Sequence, residues 1–221
     1  MITESELRTH LSDQIRKTVN KFRESPNLFF TETDIHSYLY HSLYTKKLEV
    51  KTKDDILTTC LHKEYPTNFR MSKDTMEDYG LQKKGRRGNY DIAVLSPQFI
   101  AQSTIKNVIN KDVKDAEMRV GHDEFKSELV AAIELKYAIS HKKSFIDEFR
   151  KDVKKLSIGL KYQHFEAYSL IFCNLRNYKY MDELIETVTT EETRVKCCLA
   201  VSYYDGSIKV TPKPITNGWK I

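Results

Sequence analysis

Apolar positions change period several times along this chain, and each change marks an element. Leu7, Leu11, Ile15 and Phe22 recur near helical spacing behind Thr3-Glu4-Ser5-Glu6, which has the spacing of a capping box. This first helix should end near Glu24, because Pro26 cannot continue it. A second helix opens around Thr31 to Thr33, with Ile35, Tyr38, Leu39, Ser42 and Leu43 on one face. Three strands are predicted next: ILTTCLHKEY (56–65), NYDIAVL (89–95) and ELVAAIELKYA (128–138). A polar stretch at about 100–127 separates the last two, and Ile105, Val108 and Ile109 are spaced for a short helix within it. Ser144 with Asp147 then signals the cap of a strong helix whose buried stripe is Ile146, Phe149, Val153, Leu156 and Leu160. AYSLIFCN (167–174) is continuously apolar, as expected of a strand covered on both faces. Asn177 is placed to cap a further helix running to about Thr190. Finally VKCCLAVSYY and SIKVTPK flank Asp205-Gly206, a strong short signal for a hairpin turn.

The order from residue 31 to 174 is helix, three strands, helix, strand. We expect one mixed α/β domain over residues 1–221, with its core at about 31–174 and with 1–25 and 175–221 as decorations. No internal repeat, low-complexity tract or Gly/Ser linker interrupts it. Hydrophobic residues are 40% of the chain, with 13 Tyr and 10 Phe, which favours a packed globule over disorder. No apolar run approaches the roughly 18 residues of a membrane span, so no membrane partner is expected. The polar start MITESELRTHLSDQ matches neither a secretory signal nor a transit peptide, and a cytoplasmic location is the expectation. Cys60, Cys173, Cys197 and Cys198 show no CxxC spacing and read as small hydrophobes in a reducing compartment. The net charge of +5 permits contact with nucleic acid without requiring it.

Chemistry enters at AAIELKYA (131–138), where Glu134 and Lys136 interrupt an apolar strand. They lie two apart and so point the same way. Burying either charge alone is costly, and burying both needs good geometry and further hydrogen bonds. A bare ExK triplet is more often a surface ion pair at a strand end. Asp91 changes that balance, because aspartate is depleted in strands and this one stands near the start of YDIAVL. If the two strands are neighbours, Asp91 and Glu134 converge, and converging carboxylates need a proton, a cation or water between them. A hard divalent ion is the natural occupant, since Mg²⁺ needs only one or two carboxylates plus water and substrate phosphate.

Asp91, then Glu134-Leu135-Lys136, within that order of elements, resembles the PD-(D/E)xK nuclease superfamily, the restriction-endonuclease-like fold. The resemblance spans about residues 31–174 and implies an αβββαβ core with a mixed central sheet flanked by helices. To this the chain adds an N-terminal helix and a C-terminal helix and β-hairpin. It implies that Asp91 and Glu134 bind metal, with the Leu135 carbonyl as an additional ligand and Lys136 as the catalytic lysine. Many members carry a glutamate on the first core helix, for which Glu32 is the match and Asp34 its close neighbour. Tyr90 stands where the family name has proline, and Glu134 follows Asp91 by 43 positions, which an insertion at about 97–127 explains. The implied cofactor is Mg²⁺, with Mn²⁺ as a substitute. The implied activity is phosphodiester hydrolysis in DNA, with RNA left open and a homodimer allowed. The alternative is a non-catalytic module on the same fold that binds nucleic acid or protein.

Lysine suits the third place because its compact ammonium can donate to the attacking water or the phosphate, whereas a neutral amine would accept a proton. Lys83-Lys84-Gly85-Arg86-Arg87-Gly88 precedes the Asp91 strand and is a candidate phosphate-contacting loop through Lys83, Lys84, Arg86 and Arg87. Glu64 reads equally as a polar strand end or a further metal contact. Asp152, Lys154 and Lys155 lie off the apolar stripe of their helix and read as solvated surface, with phosphate contact an alternative for the two lysines, and Gln163 is a guess at a substrate contact. Tyr38, Tyr40, Tyr44, Tyr178 and Tyr180 read as core or rim. No HExxH, Walker-type or GxGxxG motif, nor any GxSxG elbow, supports another chemistry.

Overall fold

The structure, a computed structural model, describes residues 2–72, 77–80, 85–109, 128–138, 140–190 and 194–221. Helix α1 (Glu4–Glu24) starts in the expected capping box: the Thr3 side chain accepts from Glu6 N–H while Glu6 accepts from Thr3 N–H. Helix α2 (Glu32–Leu43) repeats the device with Thr31 and Asp34. A small antiparallel pair follows, β1 (Glu49–Lys51) with β2 (Leu57–Thr59), and the chain turns at Cys60 into β3 (Leu61–Met71). The single strand expected at 56–65 is therefore two strands in different sheets. Cys60 N–H bonds the Leu48 carbonyl in register with the small pair while the Cys60 carbonyl accepts from Leu95 N–H on β5, so the chain passes from one sheet to the other there.

Short β4 (Asp78–Gly80), β5 (Arg86–Leu95), helices α3 (Pro97–Gln102) and α4 (Ile105–Ile109), and β6 (Leu129–Ala138) come next. Then follow α5 (Ser144–Tyr162), β7 (Glu166–Cys173), α6 (Met181–Thr190), β8 (Val195–Val201), β9 (Tyr203–Asp205), β10 (Ile208–Val210) and β11 (Ile215–Thr216). Among the described residues, seven strands make one mixed sheet in the order β11-β8-β7-β6-β5-β3-β4. β3, β5 and β6 are antiparallel neighbours, whereas β6, β7 and β8 run parallel. Parallel neighbours need crossovers, and α5 and α6 supply them. The sheet reaches beyond the expected core, since β8 pairs with β7 along its length and α1 buries Leu7, Leu11, Ile15, Val19 and Phe22.

Helices cover both faces. On β6, Tyr137 faces α1 and α2: its ring lies edge-on to Phe22 at 6.2 Å, and its hydroxyl donates to the Phe29 carbonyl. Glu134 and Lys136 face α5, whose Ile146, Phe149, Val153 and Leu156 are buried against the sheet. Each such side chain contributes about 1.5–3 kcal/mol of burial, which fixes α5 over β6.

Two local expectations need correction, and a third element is smaller than its flanking sequence suggests. Ser144 does not cap α5, because Lys143 holds the cap position and makes no side-chain cap bond. Asn177 does not cap α6, which begins at Met181; Asn177 instead takes a left-handed turn at φ 53°. The hairpin is present but small: Asp205 is its last strand residue, Gly206 at φ +60° opens the turn, and the pair stands apart from the main sheet.

Candidate active site

The site lies where β5 parts from β6. Their ladder runs as far as Ile92 opposite Ile133, after which the next β6 amides on that edge need other acceptors. Carboxylates provide them. Asp91 Oδ2 accepts from Leu135 N–H at 2.7 Å, and Glu32 Oε2, reaching from the first turn of α2, accepts from Tyr137 N–H at 3.2 Å. A strand residue presents N–H and C=O to the same edge, so the Leu135 carbonyl faces the Asp91 side as well. His36, one turn after Glu32, meets the Asp91 carbonyl at 2.9 Å and ties α2 to β5. Asp34 is committed to the helix cap, accepting from Phe30 and Thr31 N–H, so Glu32 is the α2 acid that reaches the site.

The opposite wall is α5. Asp152 lies between two ammonium groups, with Oδ2 3.0 Å from Lys136 Nζ and Oδ1 3.3 Å from Lys155 Nζ. Lys136 also reaches Glu32 at 3.8 Å. Lys155 meets Glu134 Oε2 at 2.8 Å and donates to the Asn89 carbonyl at 2.8 Å. The Glu134 side chain is 1% exposed and those of Lys155, Asp152 and Lys136 are 11%, 15% and 17% exposed, so these charges interact largely out of water.

Burial dominates the electrostatics. It pushes the Glu134 carboxyl well above its ordinary range and outweighs the opposing Lys155 charge, while Asp152 and Asp91 add to the rise. Asp91 and Glu32 are also raised, in each case chiefly by burial. Burial alone would lower both lysines, but the surrounding carboxylates outweigh it: Asp152, Glu32 and Asp91 raise Lys136, and Glu134, Asp152 and Asp91 raise Lys155. Both amines are therefore held as ammonium, and in this arrangement Lys136 is a donor of charge and hydrogen bonds.

Four carboxylates (Glu32, Asp91, Glu134, Asp152) surround two ammonium groups, a formal excess of two negative charges. Among the described residues, no group of three or more His, Cys, Asp or Glu side chains is arranged to hold a metal ion. The Asp91 and Glu134 carboxylates and the Leu135 carbonyl offer hard oxygen donors, as Mg²⁺ prefers. Among the described residues Glu134 Oε1 is buried without a hydrogen-bond partner, and a buried carboxylate oxygen in that condition is costly unless a cation or donor meets it. The residues present therefore fit a divalent cation.

Asp91, Glu134, Leu135, Lys136 and Glu32, all singled out in the sequence, are brought to this one place. Asp152 and Lys155 were misread as surface. They lie at the edge of the apolar stripe of α5, and Gly159, on the same helix face four residues after Lys155, was the missed sign that a broader face is buried. Glu64 is exposed, takes a left-handed conformation at φ 51° and accepts from the Asn89 side chain at 3.5 Å. Gln163 is no substrate contact: it is buried at the end of α5 and donates to Glu128 at 3.2 Å. In the basic loop, Lys83 and Lys84 lie outside the described residues, as does the Arg86 side chain, while Arg87 Nε donates to the Thr67 carbonyl at 2.6 Å. Residues 110–127 of the expected insertion also lie outside them.

No protein-family model matches the chain, and neither a curated protein nor a solved structure matches it. Among the described residues, no helix is long and apolar enough to cross a membrane.

Proposed function

We propose that this protein is a metal-dependent nuclease that hydrolyses phosphodiester bonds, with DNA as the favoured substrate, on a restriction-endonuclease-like core. The observation that carries this reading is the meeting of Asp91, Glu134, Lys136 and Glu32, from three separate elements, around a patch with excess negative charge. The order α2, β3, β5, β6, α5, β7 supports the same reading. Asp91, Glu134 and the Leu135 carbonyl would hold Mg²⁺ or Mn²⁺. When bound, the cation supplies an acidified water nucleophile and neutralises charge on the phosphate. Lys136, held as an ammonium by Asp152 and Glu32, donates to the phosphate oxygen that gains charge, a kind of contact whose loss typically costs 10²–10³ in rate. Glu32 orients Lys136 and fixes the β6 amide of Tyr137.

The test is incubation of supercoiled plasmid and linear DNA with Mg²⁺ or Mn²⁺, beside a single-stranded RNA arm and Lys136→Ala as control. Metal-dependent cleavage that falls at least about 100-fold in the variant is expected. DNA retention without cleavage, unchanged by that substitution, would favour the rival non-catalytic binding module.

A further inference from the structure

Lys155 is not part of the Asp-Glu-x-Lys pattern, yet it makes the tightest contact to the most buried acid. Its three N–H donors meet three acceptors: Glu134 Oε2 at 2.8 Å, the Asn89 carbonyl at 2.8 Å and Asp152 Oδ1 at 3.3 Å. Lys136, by contrast, is paired with Asp152 and Glu32. The two lysines thus have different stations, with Asp152 shared between them. From this division of contacts we propose that Lys155 is the resident counter-ion of Glu134, a tethered ammonium that a divalent cation must displace to bind.

The proposal rests on the cation site proposed above. Its physical basis is that a divalent cation meeting Glu134 Oε1 would stand within one carboxylate's width of the ammonium 2.8 Å from Oε2, and in a desolvated site two such positive charges repel strongly. Displacement requires no refolding. Asp152 lies three residues before Lys155 on the same helix, and the Asn89 carbonyl is on β5, so a lysine released from Glu134 keeps two of its three partners. The fully buried Glu134 is in turn never left without a positive charge, which would be severely destabilising. Lys155 therefore stabilises the metal-free fold and sets the metal concentration at which the site fills.

The test is calorimetric titration of Mn²⁺ alone into wild type, Lys155→Met and Lys155→Gln, with thermal melts of each protein. Both substitutions should lower the metal-free melting temperature yet tighten Mn²⁺ binding about tenfold, an opposition that simple structural damage does not give. In the wild-type chain, Mn²⁺ should also raise acetylation of Lys155 by a water-soluble amine reagent several-fold, read by peptide mass spectrometry. This second readout keeps the idea testable if neither variant folds. Unchanged or weaker Mn²⁺ binding in a folded variant, or Lys155 acetylation that Mn²⁺ leaves unchanged, overturns the counter-ion role and leaves the cation site standing. A wild-type protein that binds no Mn²⁺ overturns both.

Discussion

Gly159→Ala should destabilise the protein even though it places the best helix former in the interior of α5. A Cβ at Gly159 would lie 2.4 Å from the Tyr90 hydroxyl oxygen and 3.0 Å from Phe165 Cζ. Both rings are buried, Tyr90 at 1% exposure and Phe165 at 8%, and they pack against one another with centroids 6.0 Å apart. Neither ring end can swing into solvent, so the helix or β5 must move. Overpacking of this kind costs about 1–3 kcal/mol. Replacing glycine in a helix interior returns about 1 kcal/mol, leaving a net loss of about 1 kcal/mol. The Tyr90 hydroxyl supplies a second half to the experiment, because it is buried and has no hydrogen-bond partner among the described residues. Tyr90→Phe alone should be neutral or stabilising, since it removes an unsatisfied polar group. In that background the closest clash of Gly159→Ala is gone and the Phe165 ring at 3.0 Å is the next closest neighbour, so the alanine should cost markedly less than in wild type. The two substitutions are thus coupled by about 1–2 kcal/mol. The assay is urea denaturation of the four proteins, with melting temperatures expected to move about 2–4 °C per kcal/mol. Strict additivity would refute the packing of α5 on β5, and with it the placement of Asp152 and Lys155 over Glu134.

His36→Ala should remove one hydrogen bond to the Asp91 carbonyl, lower the melting temperature by about 2–4 °C and slow cleavage; an unchanged melt would show that the bond is not made. A pH series on the metal-free protein should separate wild type from Glu134→Gln. Burial raises the Glu134 pKa in the fold, so its favourable contribution is fully present below pH 4.5 and lost as pH rises through the raised value. The stability of wild type relative to the glutamine variant should fall with rising pH, and a rising difference would contradict that sign. All four cysteines are buried, and burial pushes Cys60 and Cys198 up to about 12 and Cys173 up to about 11. A thiol-reactive chromophore at pH 8 should find none of them quickly in the native protein and four after denaturation; rapid native labelling would contradict the core.

What could be read in the chain and what could not divide along physical lines. The capping boxes at Thr3 and Thr31 and the apolar stripes of α1, α2 and α5 depend on neighbours within one or two turns, so local sequence specifies them. Asp91 and Glu134 stood out because charge is costly in a buried strand, and Glu134 is the extreme case at 1% exposure. Asp152 and Lys155 did not stand out, because on a helix the same residue types are ordinary surface, and only the sheet packed beneath reveals which flank of the stripe is covered. The break at Cys60 likewise depends on a hydrogen bond to Leu48, a partner the local pattern does not name. Asp34 is drawn into the cap at Thr31, whereas Glu32 is tied to the site through Tyr137 N–H, a contact across 105 residues.

The central claim is that Asp91, Glu134 and the Leu135 carbonyl share one divalent cation beside Lys136. A crystal grown with Mn²⁺ and measured at the manganese absorption edge addresses this directly. The account predicts one anomalous peak at coordination distance from both carboxylates, with Lys155 Nζ withdrawn from Glu134. Absence of that peak under saturating Mn²⁺, with Lys155 still on Glu134, would contradict it.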